Sequence, residues 1–401
     1  MFDEPLLSSS SLQNLKYYKY SSIDKSPVTK YVLRHWWDFA ASLFPAWIAP
    51  NLITLLGLSF IIGNVVCQAI YDPELRGTAP SWVYFTHALG LFLYQTFDNV
   101  DGRQARRTRS SSALGHAFDH TIDSLNCVLG GLLQCASVGL GNTRRSAILA
   151  LTACWAMWSS TWEEYHTHTL YLGYVNGPTE GLLLAVAVHL VSGIWGPQIW
   201  HTMIQLNQDG TLAHILGVHE VDAVDLFLAV VLVADICIHT PACFLNVKAL
   251  YQSDKSRFTN ACLQNLYFAA YSGLILAWLF APHSAILSGG HFLEYTLLMT
   301  FTFGKLGPRV ILSYLTRAPF PGYDDGAYAP LIAGACIVHI LPLFGIERLN
   351  LEFIELVCLH CGLIFSTAEF LWWWTSLCRG FCQRLDIWCL TLKPKPADKS
   401  S

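Results

Sequence analysis

The amino-acid sequence predicts an all-α, polytopic integral membrane protein, and three observations carry that expectation. Hydrophobic residues fill 53% of the 401 positions and charged residues only 13%, where a soluble domain averages roughly 25% charged; the mean hydropathy is +0.39. Apolar stretches long enough to cross a bilayer, about 20 residues each, recur along almost the whole chain. The connections between them are too short for a separate globular unit, so one membrane domain accounts for a length that would otherwise allow two or three soluble ones.

Residues 1–45 are expected to form a cytoplasmic N-terminal region. It opens on the polar string MFDEPLLSSSS, which suits a solvated, disordered end. No cleavable leader precedes Tyr31, so the first span would itself direct insertion. Residues 31–44 mix Val32, Leu33, Trp36, Trp37, Phe39, Ala40, Leu43 and Phe44 with Arg34 and His35, the pattern of an amphipathic helix lying in the membrane interface. The membrane domain covers 46–388 with about ten spanning helices, near 47–71, 80–97, 115–140, 146–162, 178–200, 221–245, 261–280, 292–315, 328–344 and 353–377. The eighth is the least regular, because it contains Gly304, Lys305, Gly307, Pro308 and Arg309. A polar tail, 389–401, ends in KPKPADKSS.

Basic residues set the orientation. Lys16, Lys19, Lys25, Lys30 and Arg34 precede the first span, and Arg103, Arg106, Arg107 and Arg109 follow the second, which puts both regions on the cytoplasmic side; Arg144 and Arg145 fall on the other side and weaken the bias without reversing it. A formal net charge of −4 and the lack of a basic stripe with interleaved aromatics give no reason to expect nucleic acid. The thirteen cysteines are scattered through apolar spans, where they act as small buried residues and not as a disulfide framework.

The chemistry lies in DNVDGRQARRTRSSSALGHAFDHTID, from Asp98 to Asp123. Asp98 and Asp101 are three apart and Asp119 and Asp123 four apart, so each pair projects from one face of its own helix. Two such helices facing each other give four converging carboxylates, hard oxygen ligands suited to two Mg²⁺ or Mn²⁺ ions and to displacement at phosphorus. Unpaired at mid-bilayer, four Asp residues would cost on the order of 10 kcal/mol, so cations or water must accompany them. Surface pairing with Arg103, Arg106, Arg107 and Arg109 explains one or two carboxylates, but not a two-helix set bracketed by Gly102 and Gly115. Gly102 lets a nucleotide approach the backbone, and the planar fork of Arg106 suits a diphosphate oxygen. At about 100° per residue, His116 and His120 flank Asp119 and Asp123 on one helix face.

Asp98, Asp101, Gly102, Ala105, Arg106, Gly115, Asp119 and Asp123 match the pattern D-x2-D-G-x2-A-R-x8-G-x3-D-x3-D without a gap, and with it the chain resembles the CDP-alcohol phosphotransferases. DGRQARRT, SSSALG and FDH, together with NLKYYKY, WIAPNLITLLGL and WEEYHTHTLYLGYVNGPTEG, are similar to the choline and ethanolamine branch, closely over the first 180 residues and by hydropathy beyond. The resemblance implies transfer of phosphocholine or phosphoethanolamine from CDP-choline or CDP-ethanolamine to diacylglycerol, yielding phosphatidylcholine or phosphatidylethanolamine and CMP. It further implies a homodimer in the endoplasmic reticulum or Golgi membrane with its site facing the cytosol. Metals on Asp98, Asp101, Asp119 and Asp123 and the Arg106 side chain would hold the diphosphate; Gly102, Ala105 and Gly115 would leave room for cytidine, and His116 would border the substrate.

Three positions keep two readings at this stage. Asn51 matches a family asparagine that contacts the CDP-alcohol, yet follows Pro50 where a helix begins. His120 carries an imidazole, a group that ordinarily titrates near neutrality, and suits the base that deprotonates diacylglycerol, with Asp123 the alternative and an outer partner of a metal-bound carboxylate the plainer role. His116 stands where the branch carries Glu, which alters the charge logic beside the base. Trp162 to His168 could receive an ammonium head on aromatic faces or simply collect at the interface. Another CDP-alcohol specificity remains open. A di-iron desaturase would need further histidine boxes, and a cation-coupled transporter would need interrupted helices in matching halves.

Overall fold

The computed structural model describes residues 9–174, 177–205, 220–323, 326–345 and 348–394; the expectations for 1–8 and 395–401 lie outside these residues. The chain is overwhelmingly helical. A short helix α1 (Arg34–Leu43) is followed by α2 (Pro50–Tyr71), α3 (Ser81–Thr108), α4 (Ala113–Ser137) and α5 (Arg144–Thr167). Beyond them come α6 (Gly177–Trp195), α7 (Ala223–Leu250), α8 (Lys255–Leu279), α9 (Phe292–Thr316), α10 (Gly326–Phe344) and α11 (Arg348–Leu385).

Six of these, α2, α6, α7, α8, α10 and α11, are long and apolar enough to cross a membrane. Their outward sides carry exposed apolar groups, such as Leu55, Ile62, Val66 and Ile70 on α2, as lipid-facing helices do. The other long helices, α3, α4, α5 and α9, carry the polar groups of the interior, which lowers their hydropathy. α4 is the central element: it packs on α2, α5 and α9 and is buried on nearly every side.

The irregular stretch foreseen at 304–309 is an unbroken helix. Gly304 and Gly307 sit where α9 crosses α4; a Cβ at Gly304 would come within 2.4 Å of Leu125 Cδ2, so small residues allow the close crossing. Lys305 Nζ pairs with Glu369 Oε1 of α11 at 2.5 Å, a partner that the sequence alone left open. A buried acid on the same helix, Glu355, accepts from Trp278 Nε1, Ser284 Oγ and the Ala285 N–H, each at 2.7 Å.

Two small strand pairs interrupt the helices. β1 (Ser22–Asp24) runs parallel to β2 (Leu170–Leu172), and β3 (Met203–Gln205) is antiparallel to β4 (Glu220–Asp222). The first pair ties the N-terminal segment to the chain just beyond α5, laying Tyr18 and Tyr20 over the cavity described next. α1 buries Trp37, Ala40 and Ala41 and exposes Phe39 and Leu43.

Candidate active site

Two helices supply the carboxylates, and their ends are shaped by local sequence. α3 stops where Arg109 turns into the left-handed region, φ 56°, with its N–H on Arg106 O and Ser110 N–H on Ala105 O. α4 restarts at once with Ser112 as cap, its Oγ accepting from Gly115 N–H at 3.1 Å, a short polar residue doing what such residues do at a first turn. The tight connection brings the last turns of α3 against the first turns of α4.

Oxygens of Asp98, Asp119 and Asp123 lie within 4.8 Å of one another. Asp101, one turn along α3, lines the same cavity and accepts a hydrogen bond from Thr54 Oγ1 of α2. Tyr94 Oη donates to Asp123 Oδ1 at 2.5 Å. Asp98 Oδ1 and Asp119 Oδ1 are buried without a hydrogen-bond partner among the described residues. Like charges this close, with oxygen lone pairs left over, fit divalent cations bound by hard ligands. Tyr94 and Thr54 were missed from sequence; the signal for Tyr94 was its i, i+4 spacing from Asp98 on one helix face.

The arginines divide by role. Arg103 Nε reaches Asp38 at 2.8 Å and its guanidinium lies 5.0 Å over the Trp37 ring; Arg107 donates to the carbonyls of Ala41 and Phe44. Both thus anchor α1. The Arg106 side chain has no ion pair or hydrogen bond among the described residues and faces the cavity, with its Nη1 3.6 Å from a Cβ built on Gly102. Ala105 lines the same wall. Asn51 joins it differently: its Nδ2 donates to Cys389 O at 3.0 Å, while its Oδ1 faces Gly115. An isolated bridge between Ile48 and Thr391 fixes the beginning of the expected tail beside α2, so residues 389–393 help close the cavity.

His116 and His120 stack with parallel rings 4.6 Å apart. Both turn toward Glu164 of α5, His116 Nε2 to Oε1 at 3.1 Å and His120 Nε2 to Oε2 at 3.3 Å. Tyr18 Oη and His116 Nδ1 share a hydrogen bond of 2.9 Å. Burial pushes the hydroxyls of Tyr18 and Tyr20 above the ordinary tyrosine range, so both stay protonated beside these carboxylates. The block from Trp162 to His168 does not assemble as one recognition surface. Trp162 is fully buried with its Nε1 on Ala261 O, Glu163 accepts from Asn246, His166 meets Tyr251 and Gln264, and only Glu164 turns to the histidines.

The four aspartates, Arg106, Asn51, His116 and His120 line one cavity of ≈ 1640 Å³. Its polar end holds the carboxylates, Arg106, Asn51 and the two tyrosines. The other end runs between α4, α5 and α7 past Leu149, Ala153, Met157, Val230 and Val231.

Fold and site together define a class, the helical membrane proteins that gather aspartates from two adjoining helices at the mouth of a partly apolar chamber. The family profile described as CDP-alcohol phosphatidyltransferase matches residues 47–205. Over 394 residues the chain is 35% identical to choline/ethanolaminephosphotransferase 1 of Saccharomyces cerevisiae, covering 96% of this chain and 97% of that protein. It is 39% identical over 343 residues to cholinephosphotransferase 1 of the same yeast, covering 83% and 85%, and 33% identical over 390 residues to choline/ethanolaminephosphotransferase 1 of Arabidopsis thaliana, covering 95% and 96%. The chain belongs to the CDP-alcohol phosphatidyltransferase class-I family.

Proposed function

We propose that the chain transfers phosphocholine or phosphoethanolamine from CDP-choline or CDP-ethanolamine to diacylglycerol. One observation carries the reading: a single cavity joins a carboxylate cluster faced by Arg106 to a partly apolar chamber, so a charged nucleotide and a lipid alcohol can meet in it. The relatives' names and the matched family support the same substrates.

Asp98, Asp101, Asp119 and Asp123 would hold two Mg²⁺ or Mn²⁺ ions, which when bound neutralise charge on the diphosphate and on the departing CMP. The residues of the chain do the rest. Arg106 grips a diphosphate oxygen, and the open space above Gly102, with Ala105, Gly115 and Asn51 around it, receives the nucleotide. His120 takes the proton of the diacylglycerol hydroxyl as its oxygen bonds to the β-phosphorus; the bond from that phosphorus to the bridging oxygen breaks, and CMP leaves with the electron pair. Asp123 is the alternative base. His116 borders the substrate and the attacking alcohol.

The wider setting follows from the same reading. The domain over 46–388 crosses the membrane about ten times, its site open to the cytosol in the endoplasmic reticulum or Golgi membrane as a homodimer, with α1 in the interface. The test is purified protein in lipid nanodiscs with diacylglycerol and Mg²⁺, given radiolabelled CDP-choline and CDP-ethanolamine in parallel. Labelled phospholipid with CMP from at least one donor is expected, and Asn at any of the four aspartates should lower turnover by at least about a hundredfold. No labelled lipid from either donor would refute the assignment.

A further inference from the structure

We propose that His116, His120 and Glu164 form a second metal site, separate in ligand chemistry from the aspartate cluster, that takes a transition ion of the Zn²⁺ type. The two histidines lie one turn apart on α4, so both Nε2 atoms leave the same face, and Glu164 meets them from α5. All three are buried, at 8%, 6% and 1% exposure. Their ligand atoms fall within 4.8 Å of one another.

The distances accommodate a metal as well as an ion pair. Zinc bonds of about 2.1 Å in a tetrahedron set ligand atoms about 3.4 Å apart; the observed separations from Glu164 are 3.1 and 3.3 Å. His116 Nε2 and Glu164 Oε2 are buried without a hydrogen-bond partner among the described residues, and an ion held between the three side chains would satisfy both. The outer contact agrees. The hydrogen bond between Tyr18 Oη and His116 Nδ1, 2.9 Å, places a proton on Nδ1 when His116 donates it, and that tautomer frees Nε2 for a metal.

Ligand chemistry then sorts the ions. Aspartate oxygens suit Mg²⁺, whereas two imidazoles with one carboxylate suit zinc and leave a fourth position open. The two imidazoles move this set away from the hard cations that suit the aspartates. An ion on His120 Nε2 leaves the imidazole proton on Nδ1, so neither nitrogen keeps a lone pair for a base and zinc should inhibit the transfer. The inhibition rests on the proposed base; the binding does not.

The experiment uses untagged full-length protein in nanodiscs, stripped of metal, held in excess Mg²⁺ and supplied with Zn²⁺ alone. Bound zinc is counted after gel filtration, and Co²⁺ is used in parallel for its visible ligand-field band. One zinc per chain is expected in the wild type and in Asp98→Asn. His116→Ala and Glu164→Gln should weaken it at least about tenfold, Tyr18→Phe by about ten- to a hundredfold, and His116→Cys should keep it, which guards against a misfolded alanine variant. No retained zinc in the wild type, or zinc that survives in His116→Ala but is lost in Asp98→Asn, overturns the proposal. Retained zinc without inhibition leaves the site standing and counts against His120 as base.

Discussion

Replacing Tyr94 by Phe removes a single oxygen from the site and leaves the ring in place. That oxygen donates to Asp123 Oδ1 at 2.5 Å from a side chain only 1% exposed, so water cannot easily stand in. A hydrogen bond to a charged group is worth about 1.5–3 kcal/mol, which at 1.4 kcal/mol per tenfold converts to a factor of about 10 to 150. Loss of a partner that orients a metal-bound carboxylate typically costs about 10- to 100-fold in metal affinity or activity, so two independent routes agree. The assay is turnover of labelled CDP-alcohol at saturating donor as Mg²⁺ is varied. Tyr94→Phe should need correspondingly more Mg²⁺ for half-maximal rate, with part of the turnover recovered at high Mg²⁺. Wild-type turnover with an unchanged Mg²⁺ dependence would refute the idea that Asp123 works as a ligand oriented from α3.

Arg106→Lys should raise the KM for the CDP-alcohol about tenfold or more, because a point charge replaces one bond of the fork at about 1.5 kcal/mol; an unchanged KM removes Arg106 from the diphosphate. His120→Ala should bind donor normally by calorimetry and lose about 10²- to 10⁴-fold in turnover, the range of a general base, while His116→Glu should retain activity. Wild-type turnover in His120→Ala, with Asp123→Asn inactive, transfers the base role to Asp123. In the scaffold, a Cβ on Gly334 would lie 2.2 Å from Trp278 Cε3, so Gly334→Ala should cost about 1–3 kcal/mol. Denaturant unfolding in detergent reads this directly, and an unchanged midpoint would mean that Trp278 can move aside.

The carboxylates were legible because spacing on a helix is geometry: Asp98 and Asp101, and Asp119 and Asp123, could only emerge in pairs. Six of the ten expected apolar runs are helices long and apolar enough to cross a membrane, since a bilayer fixes the length of what crosses it; the other four carry the polar interior. Polar partners reached across the fold were not legible. Nothing near Asp101 in the sequence announces Thr54, forty-seven positions earlier, and Glu164 was visible only as part of an acidic and aromatic block whose members turn out to face different helices. The glycines at 304 and 307 looked like a break because helix propensity disfavours them; a tight crossing with α4 overrides that preference.

The contact between Asn51 and the Cys389 carbonyl, with Ile48 bridged to Thr391, has a consequence for biosynthesis. A chain emerges N-terminus first, so the helices bearing the aspartates can insert and pack long before residues 387–393 exist. The pocket wall beside Asn51 must wait for them. Until then a nascent protein has its acidic cluster but an unfinished cavity, and any change that displaces the segment just past α11 acts on the cavity wall although it lies more than 260 positions from the last aspartate.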